Sequence, residues 1–125
     1  MSAQSDLVTA FVAAWEHRDV DRILDFFTDD AVYINMPIDP PNQGKAAIRA
    51  VISEFIGMAE AMEFIIHHQG ETSDGRVLNE RTDRFKINGK WIDLPVMGIF
   101  EFRDGKICGW RDYFDMNRFT SQMGG

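Results

Sequence analysis

Arg81, Asp83 and Asp112 are charged residues that interrupt the most apolar face the chain can build. Burying an unpaired charge costs several kcal/mol or more, so such residues must satisfy one another. One arginine neutralises one aspartate. A second aspartate leaves negative charge that must bind a proton or find other donors. Two carboxyl groups whose pKa values are pushed apart make an acid and a base. A structural ion pair is the plainer reading of Arg81 with either partner, and the extra carboxylate argues against it. Tyr33 and Asn35 share parity, so both point to one face of a strand while Val32, Ile34 and Met36 point to the other. A phenol and an amide can hold a water molecule by hydrogen bonds. A tyrosine and an asparagine at a sheet edge is the alternative.

Other candidates carry less. His67 and His68 are adjacent on an expected strand, so they should face opposite ways and be unable to share one metal. His17 falls at a helix end. Cys108 sits among apolar residues and is expected in the core. The methionines suit core filling and pocket lining. Asp25, Asp29 and Asp30 look like solvated turn charge. No nucleophile elbow, phosphate-binding loop or dinucleotide fingerprint occurs.

The elements that must position these groups follow from periodicity. Leu7, Val8, Phe11, Val12 and Trp15 recur at helical spacing, with Ser2 or Ser5 as N-cap. Asp19 can cap a short second helix carrying Val20, Ile23, Leu24 and Phe27 on one face. Residues 31–36 form a strand, which Pro37, Pro40 and Pro41 end. After Gly44 a third helix turns Ala47, Ile48, Val51, Ile52, Phe55 and Ile56 inward. Asp74-Gly75, Asn88-Gly89 and Asp104-Gly105 are then hairpin signals between β-rich runs over 62–69, 76–87, 90–102 and 106–115. Helices followed by an antiparallel meander predict an α+β domain, with three helices of the first half covering one face of a curved sheet. Pro95 inside a strand predicts an edge or a bulge.

The turns predict register. A two-residue turn at Asn88-Gly89 places Arg81 opposite Val96 and Asp83 opposite Leu94. A one-residue slip flips every side chain. Only a three-residue loop over Arg103-Asp104-Gly105, with Gly105 left-handed, puts the apolar faces of the last two strands together. It predicts the row Arg81, Val96, Asp112, with Arg81 reaching both carboxylates.

With 125 residues the chain has the size of one domain, expected to span 1–125. Ten Phe and three Trp suit rigid pocket walls. A net charge of −7 without a basic cluster disfavours nucleic acid and anionic membranes. One cysteine permits no intrachain disulfide, and residues 1–6 resemble no signal peptide. A cytoplasmic protein is expected.

The segments Tyr33-Ile34-Asn35-Met36-Pro37, Asn79-Glu80-Arg81-Thr82-Asp83 and Gly109-Trp110-Arg111-Asp112-Tyr113-Phe114-Asp115 resemble the limonene-1,2-epoxide hydrolase family. The likeness runs from the first helix to about Phe119. It implies the cone-shaped α+β fold shared with nuclear transport factor 2, ketosteroid isomerases and SnoaL-like polyketide cyclases. It also implies a homodimer that uses no metal or organic cofactor. By that resemblance Asp112 is the general base, Tyr33 and Asn35 hold the water with it, and Asp83 is the acid. Arg81 bridges the two carboxyls. Leu94, Val96, Phe114, Met58 and Trp110 line the cavity for a small apolar epoxide. An isomerase or cyclase of the same fold, and a binding module without catalysis, are the competing readings.

Overall fold

The computed structural model describes residues 2–38 and 40–124. Met1 and Gly125, the ends of the expected domain span, lie outside the described residues. Helix α1 (Ala3–Ala14) starts at Ser2, whose hydroxyl accepts from the Ser5 N–H at 3.0 Å. A 3₁₀ turn (Trp15–His17) follows. Arg18 then takes a left-handed conformation, and α2 (Val20–Leu24) is capped by Asp19. Helix α3 (Lys45–Met58) buries Ile48 and Ile52.

Strands β1 (Phe27–Asn35), β2 (Asn42–Gln43), β3 (Ala61–Glu71), β4 (Val77–Ile87), β5 (Lys90–Arg103) and β6 (Lys106–Tyr113) form one sheet. Its order is β2-β1-β6-β5-β4-β3. All neighbours are antiparallel except β1 and β6, which run parallel. The expected α+β architecture is present: a curved, mostly antiparallel sheet with helices packed on it. Phe11 of α1 stands at the centre of the core, edge-on to Trp110, Phe27 and Phe100 at centroid distances of 5.0, 5.4 and 6.0 Å.

Several boundaries differ from the sequence reading. Phe27 belongs to β1 rather than to the face of α2; it is wholly buried and pairs with Ile107. Asp29 and Asp30 do not break the chain into a turn but lie within β1, where its register with β6 shifts. A fourth helix, α4 (Met116–Gly124), was not expected. Its signal was Asp115, whose carboxylate accepts from the Asn117 N–H at 2.9 Å. Pro95 is tolerated in β5 because β6 pairs β5 only from Met97 to Arg103, which leaves a local edge at Pro95.

The Asn88-Gly89 turn has the expected two residues, both at positive φ, and pairs Ile87 with Lys90. Arg81 therefore faces Val96 and Asp83 faces Leu94. The last hairpin differs. Asp104 and Gly105 form another two-residue turn at φ 54° and 75°, with Arg103 paired to Lys106. The missing residue enters later, as a bulge. Phe102 pairs with Ile107, then Glu101 with Gly109, so Cys108 is extra. The bulge restores the facing of the two apolar sides but adds a further step. Asp112 consequently lies opposite Gly98, not Val96. The same bulge makes Ile107 the wholly buried residue and leaves Cys108 only half-buried, against its expected place in the core.

A second bulge corrects the histidines. The register of β3 shifts between Ile66 and His68, so His67 is extra. His67 reaches Thr82 at 2.8 Å and His68 approaches Glu80 at 4.0 Å. Both partners point away from the buried face of β4, so both histidines face outward. No group of three or more metal-type ligands converges among the described residues. No helix of the described chain is long and apolar enough to cross a membrane.

Candidate active site

Asn79, Arg81 and Asp83 alternate on β4 and share its inward face. Asp112 arrives on the same face from β6, with Gly98 of β5 between. Arg81 is 1% exposed, and its guanidinium is the hub. Nε donates to Asp83 Oδ1 at 2.9 Å, and Nη2 donates to Asp83 Oδ2 at 3.0 Å. Nη2 also donates to Asp112 Oδ2 at 2.8 Å. Nη1 donates to Asn79 Oδ1 at 2.9 Å. The planar fork of arginine suits this bridging, which a lysine point charge cannot reproduce.

Gly98 makes room for the hub. A Cβ there would lie 2.6 Å from Arg81 Nη1, 2.7 Å from Asp112 Oδ1 and 3.1 Å from Asn79 Oδ1. Sequence reasoning missed both Gly98 and Asn79. The bulge that brings Asp112 opposite a glycine had no simple sequence signal. Asn79 had one, since it shares the parity of Arg81 and Asp83.

The remaining oxygen of Asp112 is also engaged. Trp110 Nε1 donates to Asp112 Oδ1 at 2.7 Å. The Trp110 ring stacks on Tyr33 with centroids 4.1 Å apart and planes within 10°. Tyr33 donates its hydroxyl proton to Asn35 Oδ1 at 2.9 Å. Parallel pairing of Tyr33 with Trp110 and of Asn35 with Asp112 brings these four residues together. Among the described residues only Trp15 Nε1 is a buried side-chain polar atom without a hydrogen-bond partner, so every such atom of the charged cluster has at least one.

Electrostatics follow from burial and neighbours. Burial pushes the Asp112 carboxyl up to about 6; Arg81 opposes this and Asp83 adds to it. Burial, reinforced by the Asp112 charge, lifts the Tyr33 phenol far above its ordinary range and keeps it neutral. Burial works against the Arg81 charge, but Asp112 and Asp83 outweigh it and hold the guanidinium protonated. Two carboxyls and one guanidinium balance in charge when the pair retains one proton.

These groups meet a cavity of about 270 Å³. Tyr33, Asn35, Asp83 and Asp112 lie in its wall, while Arg81 stands behind the two carboxyls and outside the lining. All five expected wall residues, Met58, Leu94, Val96, Trp110 and Phe114, line it. Met58 is 43% exposed and marks the mouth. Residues not foreseen complete the wall, including Ile52 and Phe55 of α3 and Met116 and Phe119 of α4. The arrangement is an apolar pocket with two buried carboxyls at one side and unspent hydrogen-bonding capacity on Asn35 and Tyr33 beside them.

The family model described as the limonene-1,2-epoxide hydrolase catalytic domain matches residues 2–124. Epoxide hydrolase EphG of Mycobacterium tuberculosis (strain ATCC 25618 / H37Rv) is 36% identical over 110 residues, covering 87% of this chain and 71% of that protein. The structure of an M. tuberculosis LEH-like epoxide hydrolase superimposes with a TM-score of 0.83 at 31% identity, covering 98% of this chain and 91% of the other. The epoxide hydrolase/cyclase-like enzyme SalBIII, studied for pyran ring formation in polyether salinomycin, has a TM-score of 0.83 at 20% identity, which shows the shared fold alone. It covers 92% of each chain. With its whole described length matched and its relatives above 30% identity, this chain belongs to the limonene-1,2-epoxide hydrolase family.

Proposed function

We propose that the protein adds water to a small apolar epoxide, of the cyclic or terpene-like type, to give a vicinal diol. The observation that carries this reading is one guanidinium held between two buried carboxyls that face an apolar cavity. The family supports the epoxide. The volume of about 270 Å³ lies near the lower end of small-molecule pockets and suits a compact substrate. Leu94, Val96, Phe114, Met58 and Trp110 supply the surface that substrate would bury.

In this mechanism Asp112, ionised above about pH 6, is the general base. A water held by Asp112, Asn35 and Tyr33 gives one proton to Asp112 as its oxygen attacks an epoxide carbon. The C–O bond on that carbon breaks, and Asp83 passes its proton to the departing oxygen. Arg81 touches both carboxyls and favours one proton between them rather than none or two. Acid and base act on opposite ends of the breaking bond, so no covalent ester to the enzyme forms. Return of a proton from Asp112 to Asp83 resets the site. The working unit is a homodimer, a reading supported by apolar side chains on the outer face of the sheet.

Diol formation across a panel of cyclic and terpene epoxides tests the reaction, and a single turnover in heavy-oxygen water tests the mechanism. The expected result is label in the diol in the first turnover. Unlabelled first-turnover diol would mean that the oxygen came from an aspartate, and the one-step mechanism would fall.

A further inference from the structure

We propose that Asn79, held by Gln69, is a positioning residue that orients the Arg81 guanidinium. This rests on the hydrolase reading above and goes beyond it. Asn79 is 1% exposed and does not line the cavity, so contact with substrate does not explain it. Its Oδ1 accepts from Arg81 Nη1 at 2.9 Å, and its Nδ2 donates to Gln69 Oε1 at 3.2 Å. Gln69 pairs with Asn79 across β3 and β4. The amide nitrogen of Gln69 donates in turn to the Ser5 carbonyl at 3.1 Å, the Ser5 hydroxyl at 2.8 Å and the Thr9 hydroxyl at 3.1 Å. A continuous chain of hydrogen bonds thus joins α1 to the charged hub.

The chain has only one consistent direction. At one end stands a backbone carbonyl, which can only accept. At the other stands a guanidinium, which can only donate. Both amides between them must therefore turn their oxygens toward Arg81. A flipped Asn79 would aim N–H at N–H. The type of residue also matters. A third carboxylate at position 79 would add charge that the buried site cannot balance, whereas an amide supplies a lone pair with none. Asn79 holds the third side of the guanidinium while Asp83 and Asp112 hold the other two. Without it Arg81 can rotate toward one carboxyl and loosen the other, and small errors in such geometry cost rate steeply.

The test compares the parent protein with Gln69→Leu, Asn79→Leu and the double variant. Gln69→Leu cuts the chain one residue away from Arg81, at a half-buried position where folding is least at risk. NMR of the guanidinium protons of Arg81 reads the orientation directly, whatever the activity. The parent should show slowly rotating, resolved Nη protons, and Gln69→Leu should broaden them. In epoxide hydrolysis each single variant should lower kcat about tenfold with KM within about twofold. The double variant should be no worse than Asn79→Leu alone, because both cut one chain. Unchanged Arg81 signals in Gln69→Leu, additive losses, or losses confined to KM would overturn the proposal. A parent that shows the guanidinium signature but opens no epoxide would leave the positioning role standing and count against the hydrolase reading instead.

Discussion

Asp112 carries the largest consequence of any single residue. Its carboxyl is raised from the ordinary 3.8 to about 6, chiefly by burial. The folded chain therefore binds that proton more tightly than the unfolded chain. The stability this brings is fully present below about pH 4 and is lost as pH climbs through about 6, worth up to about 3 kcal/mol. Activity has the opposite sign, since a base must be ionised to accept a proton. The value of kcat/KM should rise with pH through about 6. Asp112→Asn keeps the shape and cannot take the proton. Turnover should drop at least about 10²-fold. The melting temperature of this variant at pH 8 should be no lower than the parent's, with any gain shrinking toward pH 4. Stability and function pull against each other at this position. Equal turnover in the variant, or a flat rate between pH 5 and 7, would remove Asp112 from the role of base.

Strand β5 holds the glycine on which the hub depends. Gly98 lies between Asn79 and Asp112, in the row that the Cys108 bulge creates. The bulge and the glycine work together: one brings the carboxylate across, and the other clears the space. Gly98→Ala would set a methyl group 2.6 Å from Arg81 Nη1 and 2.7 Å from Asp112 Oδ1. Overpacking of this kind costs about 1–3 kcal/mol. The expected result is a lower urea midpoint and at least a tenfold fall in kcat, with the sheet retained by circular dichroism. Full activity in Gly98→Ala would mean that the hub tolerates displacement.

The whole molecule presents two faces with different uses. The inward face of the sheet carries the cavity and the charged cluster. The outward face carries Leu78, Met97 and Tyr113, and the last two are 47% and 49% exposed. Met97 pairs with Tyr113, and Leu78 pairs with Ile99, so these side chains form a continuous patch. Large apolar patches mark association surfaces, and a twofold dimer can bury one patch against its copy. Light scattering should give twice the mass of one chain at micromolar concentration, and Met97→Glu should shift it toward one. A single-chain mass throughout that range would count against the homodimer. The cluster that would catalyse lies within one chain, so weaker association need not abolish the site.

Local rules were enough for much of this. Helical spacing located α1 and α3, Asp19 marked α2, and Asn88-Gly89 set the pairing of Arg81 with Val96 and of Asp83 with Leu94. Parity alone put Tyr33 with Asn35. The charged trio was legible because charge on an apolar strand face demands partners. What local rules could not decide was how distant segments meet. A bulge at Cys108 costs little by itself and is selected by the fit of two faces across the sheet. Only that fit set Asp112 against Gly98. Parallel pairing of β1 with β6 joins residues nearly eighty positions apart, and no turn between them encodes it. The seat of helix α4 on β5 and the chain from Ser5 to Asn79 likewise rest on contacts between different segments. The sequence by itself determined which residues could do acid–base chemistry. The tertiary structure decided their geometry, because register and packing are properties of pairs of segments and not of either one.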